Sequence, residues 1–88
     1  MLYDRLEQNS PNPFNPSTTI KYSLAVSKYV TLKVYDIVGN EITTLDEGFR
    51  AEGYHQVVFK IDNISSGVYF CRLTAGDFTQ IRKMVIIR

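Results

Sequence analysis

Asn9-Ser10-Pro11-Asn12-Pro13-Phe14-Asn15-Pro16-Ser17-Thr18-Thr19 is the stretch around which the chain is organised. Each proline holds its own φ near −65° and drives the preceding residue out of the α region. Ser10, Asn12 and Asn15 each precede a proline, so the stretch is extended or turning and not helical. Asn and Ser side chains can serve the backbone groups that proline leaves without ladder partners. Phe14 is out of character for a solvated loop. It reads as an anchor whose ring enters a core. The plainer reading, a Pro-rich linker, fits less well, because the stretch encloses one aromatic and runs straight into a strand pattern.

Outward from there, Thr18 to Ala25 alternates, with Ile20, Tyr22 and Leu24 on one face and Thr19, Lys21 and Ser23 on the other. Tyr29 to Asp36 does the same with Val30, Leu32 and Val34. Both are half-buried antiparallel strands by period. Val26-Ser27-Lys28 between them is short enough for a hairpin. Upstream, Leu2 to Asn9 predicts a first strand. Gly39-Asn40 is a turn signal. Glu41 to Leu45 breaks the period of two between Ile42 and Leu45, as a bulge or an edge strand would. Asp46-Glu47-Gly48 and Ala51-Glu52-Gly53 predict a loop with Phe49 folded inward. Tyr54 to Ile61 is a strand with His55, Val57, Phe59 and Ile61 on one face. Asp62 to Gly67 is a corner plugged by Ile64. Val68 to Thr74 puts Tyr69, Cys71 and Leu73 on one face. Ala75-Gly76-Asp77 is a tight turn, and Phe78 to Arg88 closes the chain as a strand that is apolar on both faces at Met84-Val85-Ile86-Ile87.

Seven strands, close turn signals and no helical period predict an all-β, seven-stranded antiparallel sandwich, immunoglobulin-like or fibronectin-III-like, as a single domain over residues 1–88. Tyr69 sharpens this. It stands two residues before Cys71, just after a glycine-containing corner, where its hydroxyl can turn back on the corner backbone as in a tyrosine corner.

With 88 residues, the chain is one small domain with a narrow stability margin. Its aromatic content, six Tyr and five Phe, suits a β core. The net charge of +1 supplies no global field for nucleic acid or acidic lipid. One cysteine excludes an internal disulfide and a Cys/His zinc set. No apolar run approaches the ~20 residues of a transmembrane segment, and no signal peptide precedes Leu2. If Met1 is a start codon of convenience, an export signal lies upstream in a longer parent.

Little points to chemistry, and no catalytic, cofactor-binding or metal site is assigned. His55 and Cys71 are the only imidazole and thiol. The residues read as a strand-start histidine bonded to a loop and a buried inert thiol, since a reactive cysteine needs exposure and a cationic neighbour. Asp4, Asp36, Asp46, Asp62 and Asp77 are scattered and form no calcium loop. Asp62 and Asp77 fit turns. Tyr29, Tyr35, Tyr54 and Phe70 on solvent faces leave a sugar-binding face open, although aromatics on strands are first of all good β formers.

The arrangement resembles the C-terminal sorting domains (type A) of proteins exported by the type IX secretion system, which are similar to the immunoglobulin-like domain of flagellar hook-capping proteins. Leu6-Glu7-Gln8-Asn9-Ser10-Pro11-Asn12-Pro13-Phe14-Asn15-Pro16 looks like the opening signature. Thr18 to Leu24 resembles the second strand, and Val30 to Asp36, through Gly39 and Glu41, the third and its turn. Gly53-Tyr54-His55 resembles the Gly-x-His step and Ser66-Gly67-Val68-Tyr69-Phe70 the Ser-Gly-Val-Tyr block. Lys83-Met84-Val85-Ile86-Ile87 looks like the terminal strand. Phe59 stands where the family often has tryptophan, and Cys71 where an aromatic is common. Asp77 and Gln80 look unremarkable.

The resemblance implies a targeting domain at the end of a large secreted or surface protein. It reaches the periplasm on an N-terminal signal and is read by the outer-membrane translocon. A sortase-like cysteine peptidase then removes it from the upstream cargo domain and joins the cargo to the surface. The cut falls before Leu6 or upstream of Met1. The alternatives are an accessory immunoglobulin-like spacer and a carbohydrate-binding module. For recognition, Lys83, Met84, Val85, Ile86, Ile87 and Arg88 are the candidates, as an apolar strand open to β-augmentation and framed by positive charge. The alternative for this strand is burial on both faces inside a sheet.

Overall fold

The computed structural model describes residues 2–14, 16–60 and 62–87. Asn15, Ile61 and Arg88, named above, lie outside them. The described chain forms seven strands: β1 (Arg5–Leu6), β2 (Ser17–Leu24), β3 (Lys28–Tyr35), β4 (Glu41–Arg50), β5 (Gly53–Lys60), β6 (Gly67–Ala75) and β7 (Phe78–Ile86). They make two antiparallel sheets, ordered β1-β2-β5 and β4-β3-β6-β7. This is the expected all-β sandwich. The fourth strand pairs with the third instead of joining the first sheet, unlike the constant-type immunoglobulin arrangement.

The alternation in the sequence is what builds the core. Ile20, Tyr22 and Leu24 of β2 face Val30, Leu32 and Val34 of β3 and Tyr69, Cys71 and Leu73 of β6, all buried. Period-two patterning turns one apolar set from each sheet inward and the polar set outward; Ser23 of that outer set is buried all the same and donates to Tyr3 O at 2.6 Å. Ile64 packs against this core from the corner, as expected. Gly76, at φ +60°, opens the turn between β6 and β7, where Ala75 pairs with Phe78. Asp36 closes the β3–β4 turn: its Oδ1 accepts the N–H groups of Val38 and Asn40 at 3.0 and 2.9 Å.

Three expectations fail. The hairpin across residues 26–28 does not form. β2 pairs with β5 along its whole length, from Ser17↔Lys60 to Leu24↔Gly53, while β3 pairs with β4 and β6. The connection crosses between sheets, so the two apolar faces meet across the core and do not lie side by side. The loop at residues 46–53 is also absent up to Arg50. β4 continues through it, and Phe49 points outward at 68% exposure, opposite Tyr29. The broken period upstream is the expected irregularity of an edge strand, with register shifts at Leu32/Lys33 and Val34/Tyr35. Finally, the first strand is only Arg5–Leu6. Beyond it the chain keeps contact with β2 through Glu7 N–H to Lys21 O and a bridge between Ser10 and Thr19.

Candidate functional site

The terminal strand and the proline stretch, the segments singled out in the sequence, are bonded into one structural unit. β7 is an edge strand of its sheet. Met84 and Ile86 point into the core, Val85 is half-buried, and Lys83 and Ile87 are exposed. The outer edge of β7 is not bare. Phe14 N–H donates to Val85 O at 3.0 Å, and Ile87 N–H donates to Phe14 O at 3.1 Å, a parallel bridge centred on Ile86. Asn12 Oδ1 accepts the Val85 N–H at 2.9 Å. Both backbone groups of Val85 are therefore used.

Earlier residues continue this strap along the strand. Gln8 Nε2 donates to Lys83 O at 2.7 Å, and Arg82 Nε to Leu6 O at 2.9 Å. Leu6 N–H donates to Gln80 Oε1 at 2.7 Å. The residue that looked unremarkable in sequence thus holds β1 against β7. No local signal could have shown this, since the partners lie 74 residues apart.

The strap keeps its shape through a buried polar knot. Asn9 Nδ2 donates to Pro11 O and Thr18 Oγ1, both at 3.0 Å, and Thr18 Oγ1 donates to Pro11 O at 2.8 Å. Asn9 and Thr18 are buried, so each needs these partners. The Ser10–Pro11 and Asn12–Pro13 bonds are cis. Phe14 is 2% exposed, and its ring meets Phe59 at 5.8 Å between centroids. The anchor read from sequence is therefore in place, with its ring in the core and its backbone on β7.

Asn12 and Phe14 meet Val85, Ile86 and Ile87 here, and Gln8 meets Lys83; Pro11 takes part in the polar knot through its carbonyl, and Pro16 leads into β2. Gly53, Gly67 and Tyr69 lie elsewhere. Gly53 opens β5, Gly67 opens β6, and the Tyr69 hydroxyl donates to Ser65 O at 2.8 Å. That bond is the expected tyrosine corner.

The chain belongs to the secretion system C-terminal sorting domain family. The family model matches residues 10–87, most of the chain, from within the strap to the end of the described terminal strand. No curated protein and no solved structure matched. The domain is a C-terminal sorting signal of type IX secretion, a targeting module that directs its cargo to secretion or the cell surface. This favours sorting over the spacer and carbohydrate-binding readings.

The other side chains fit that role. Cys71 is 1% exposed, and burial pushes its thiol up to about 12. A thiol protonated at neutral pH is a poor nucleophile. His55 Nε2 lies 2.7 Å from Ala51 O, and its ring stacks on Tyr22. Among the described residues, no three His, Cys, Asp or Glu side chains converge as a metal set. Tyr29 and Tyr54, both exposed, lie on different sheets and form no shared platform. No described helix is long and apolar enough to cross a membrane.

Proposed function

We propose that the translocon reads the strap and the terminal strand as one composite edge. The exposed Lys83 and Ile87 side chains present the contact, and residues 8–14 hold them in place. The supporting observation is the use of both backbone groups of Val85 by Asn12 and Phe14. A partner strand can add to an edge only where backbone donors and acceptors are free. Recognition at Val85 therefore runs through side chains and the outline of the strap. β-Augmentation there requires the strap to lift.

The 88 residues act as a single domain at the end of a larger secreted protein, carried through the periplasm and across the outer membrane. A sortase-like cysteine peptidase removes the domain as its cargo is attached at the surface. Leu6 to Phe14 is fastened to β2 and β7, and Asp4 is bonded to Lys28 and to the Ala25 N–H. This supports a cut upstream of Asp4.

Reversing the surface without touching the core tests the proposal. A reporter carrying Lys83→Glu and Ile87→Asp is expected to fold with an unchanged melting temperature and to accumulate in the periplasm of a competent host. Normal surface delivery of that reporter removes these side chains from recognition.

A further inference from the structure

A second surface lies on the outer face of the four-stranded sheet, at the end where β3 turns into β4. It is a shallow groove of about 380 Å³ lined mainly by Tyr35, Ile37, Phe70, Arg72 and Ile81. The lining comes from three adjacent strands and one turn. Tyr35 pairs with Phe70, and Arg72 with Ile81. Ile37 is 74% exposed and Ile81 54%, so both leave apolar surface at the groove.

The groove holds one cation, Arg72, and one acid, Asp36. Arg72 is directly opposite Lys33 across the β3–β6 ladder, and Lys83 is opposite Phe70 one step along β7. Like charges placed directly across a sheet destabilise it. Glu41 answers Lys33 at 2.9 Å. Among the described residues, Arg72 makes no ion pair. Its guanidinium lies 4.6 Å from the centre of the Tyr35 ring and donates one hydrogen bond to the Tyr35 hydroxyl. Asp36 also lines the groove, but its oxygens are engaged by Val38 and Asn40 of its own turn and make no ion pair with Arg72.

A guanidinium held over an aromatic ring and bonded to its hydroxyl is oriented before any ligand arrives, and its remaining N–H groups match a carboxylate fork. We infer that this groove docks a peptide segment of a partner protein that presents one carboxylate between apolar side chains. The carboxylate pairs with Arg72 and offsets the Lys33–Arg72 repulsion. The flanking apolar groups cover Phe70, Ile81 and Ile37. Concavity favours a peptide over a bilayer, which needs a projecting apolar surface, and the net charge of +1 gives little attraction to anionic lipid.

The test is a ¹H–¹⁵N NMR titration of the 88-residue chain with an acetylated, amidated pentapeptide, Leu-Ile-Asp-Leu-Phe. Its Asp-to-Asn counterpart serves as control. Saturable shifts are expected at Tyr35, Phe70, Arg72 and Ile81. Affinity is expected to fall about tenfold for the Asn peptide and for Arg72→Gln, the loss of one charge-assisted pair. Arg72→Lys, which keeps the charge but not the planar fork, is expected to fall between. Arg72 is exposed, so spectra away from the groove report that each variant is folded. Absence of saturable shifts at these residues overturns the inference, as does unchanged affinity in Arg72→Gln. Displacement of the peptide by inorganic phosphate or by phosphatidylglycerol vesicles also overturns it, in favour of a general anion or lipid surface.

Discussion

Phe14 and Ile86 are parallel bridge partners, joining the first quarter of the chain to its last strand. The ring of Phe14 fills the core while its backbone binds the residues on either side of Ile86. The opening signature and the terminal strand of the family are thus two halves of one structure. Phe14→Ala is expected to cost about 3–5 kcal/mol, the range for removing a buried ring. That is a large share of a small domain's margin. Urea unfolding measures it; an unchanged midpoint would mean the ring carries no load.

The Tyr69 hydroxyl reaches back to Ser65 O, tying β6 to its corner. Tyr69→Phe keeps the ring and removes only that bond. A loss of about 1 kcal/mol is expected in denaturant unfolding, with the sandwich intact by circular dichroism.

Tyr22 of β2 donates to Asp46 Oδ2 of β4 at 2.6 Å, bridging the two sheets, and Arg50 pairs with the same carboxylate. Burial and the Asp46 carboxylate push the Tyr22 hydroxyl well above its ordinary value. Burial alone would raise Asp46, but the hydrogen bonds from Arg50 and Tyr22 outweigh it and hold the carboxyl below its usual range. The two groups act at opposite ends of the pH scale. Neutral Tyr22 contributes stability that is whole below the free tyrosine value of about 10 and lost as pH rises past it. Ionised Asp46 contributes stability that is whole above about 4 and lost as pH falls. The advantage of the native chain over Tyr22→Phe, followed by urea midpoints at several pH values, is expected to be largest near neutrality and to shrink above about pH 10. A difference independent of pH would contradict the bridge.

Gly48 sits inside β4 at φ +143°, and a side chain there would meet Arg50 Nη1 at 2.7 Å. Gly48→Ala is expected to cost about 1–3 kcal/mol through backbone strain alone. It should also weaken the Arg50–Asp46 pair. A melting temperature equal to that of the native chain would show that β4 relaxes freely at this point.

Period-two patterning made the strands and the core legible, since Ile20, Tyr22, Leu24, Val30, Leu32 and Val34 are all buried where alternation puts them. Pairing was less legible. Alternation says which side of a strand is apolar, not which strand lies beside it, so the short link at residues 26–28 passed for a hairpin. Gly48 passed for loop punctuation because a glycine inside an irregular edge strand has the same local signature, whereas Gly53 does mark the turn between β4 and β5. For the site, Phe14 was readable as an aromatic among prolines. The strap's partners were not, because Gln8, Gln80 and Arg82 are ordinary polar residues until the fold brings them together. That β7 uses its outer edge on residues 12–14 follows from long-range geometry alone.

The composite edge is tested most directly by photocrosslinking in exporting cells. A benzophenone side chain is placed at position 87, on the terminal strand, and separately at position 54, on the opposite sheet. Position 87 is expected to capture an outer-membrane component of the type IX translocon, and position 54 to capture little. Capture from position 54 with none from position 87 would contradict the composite edge.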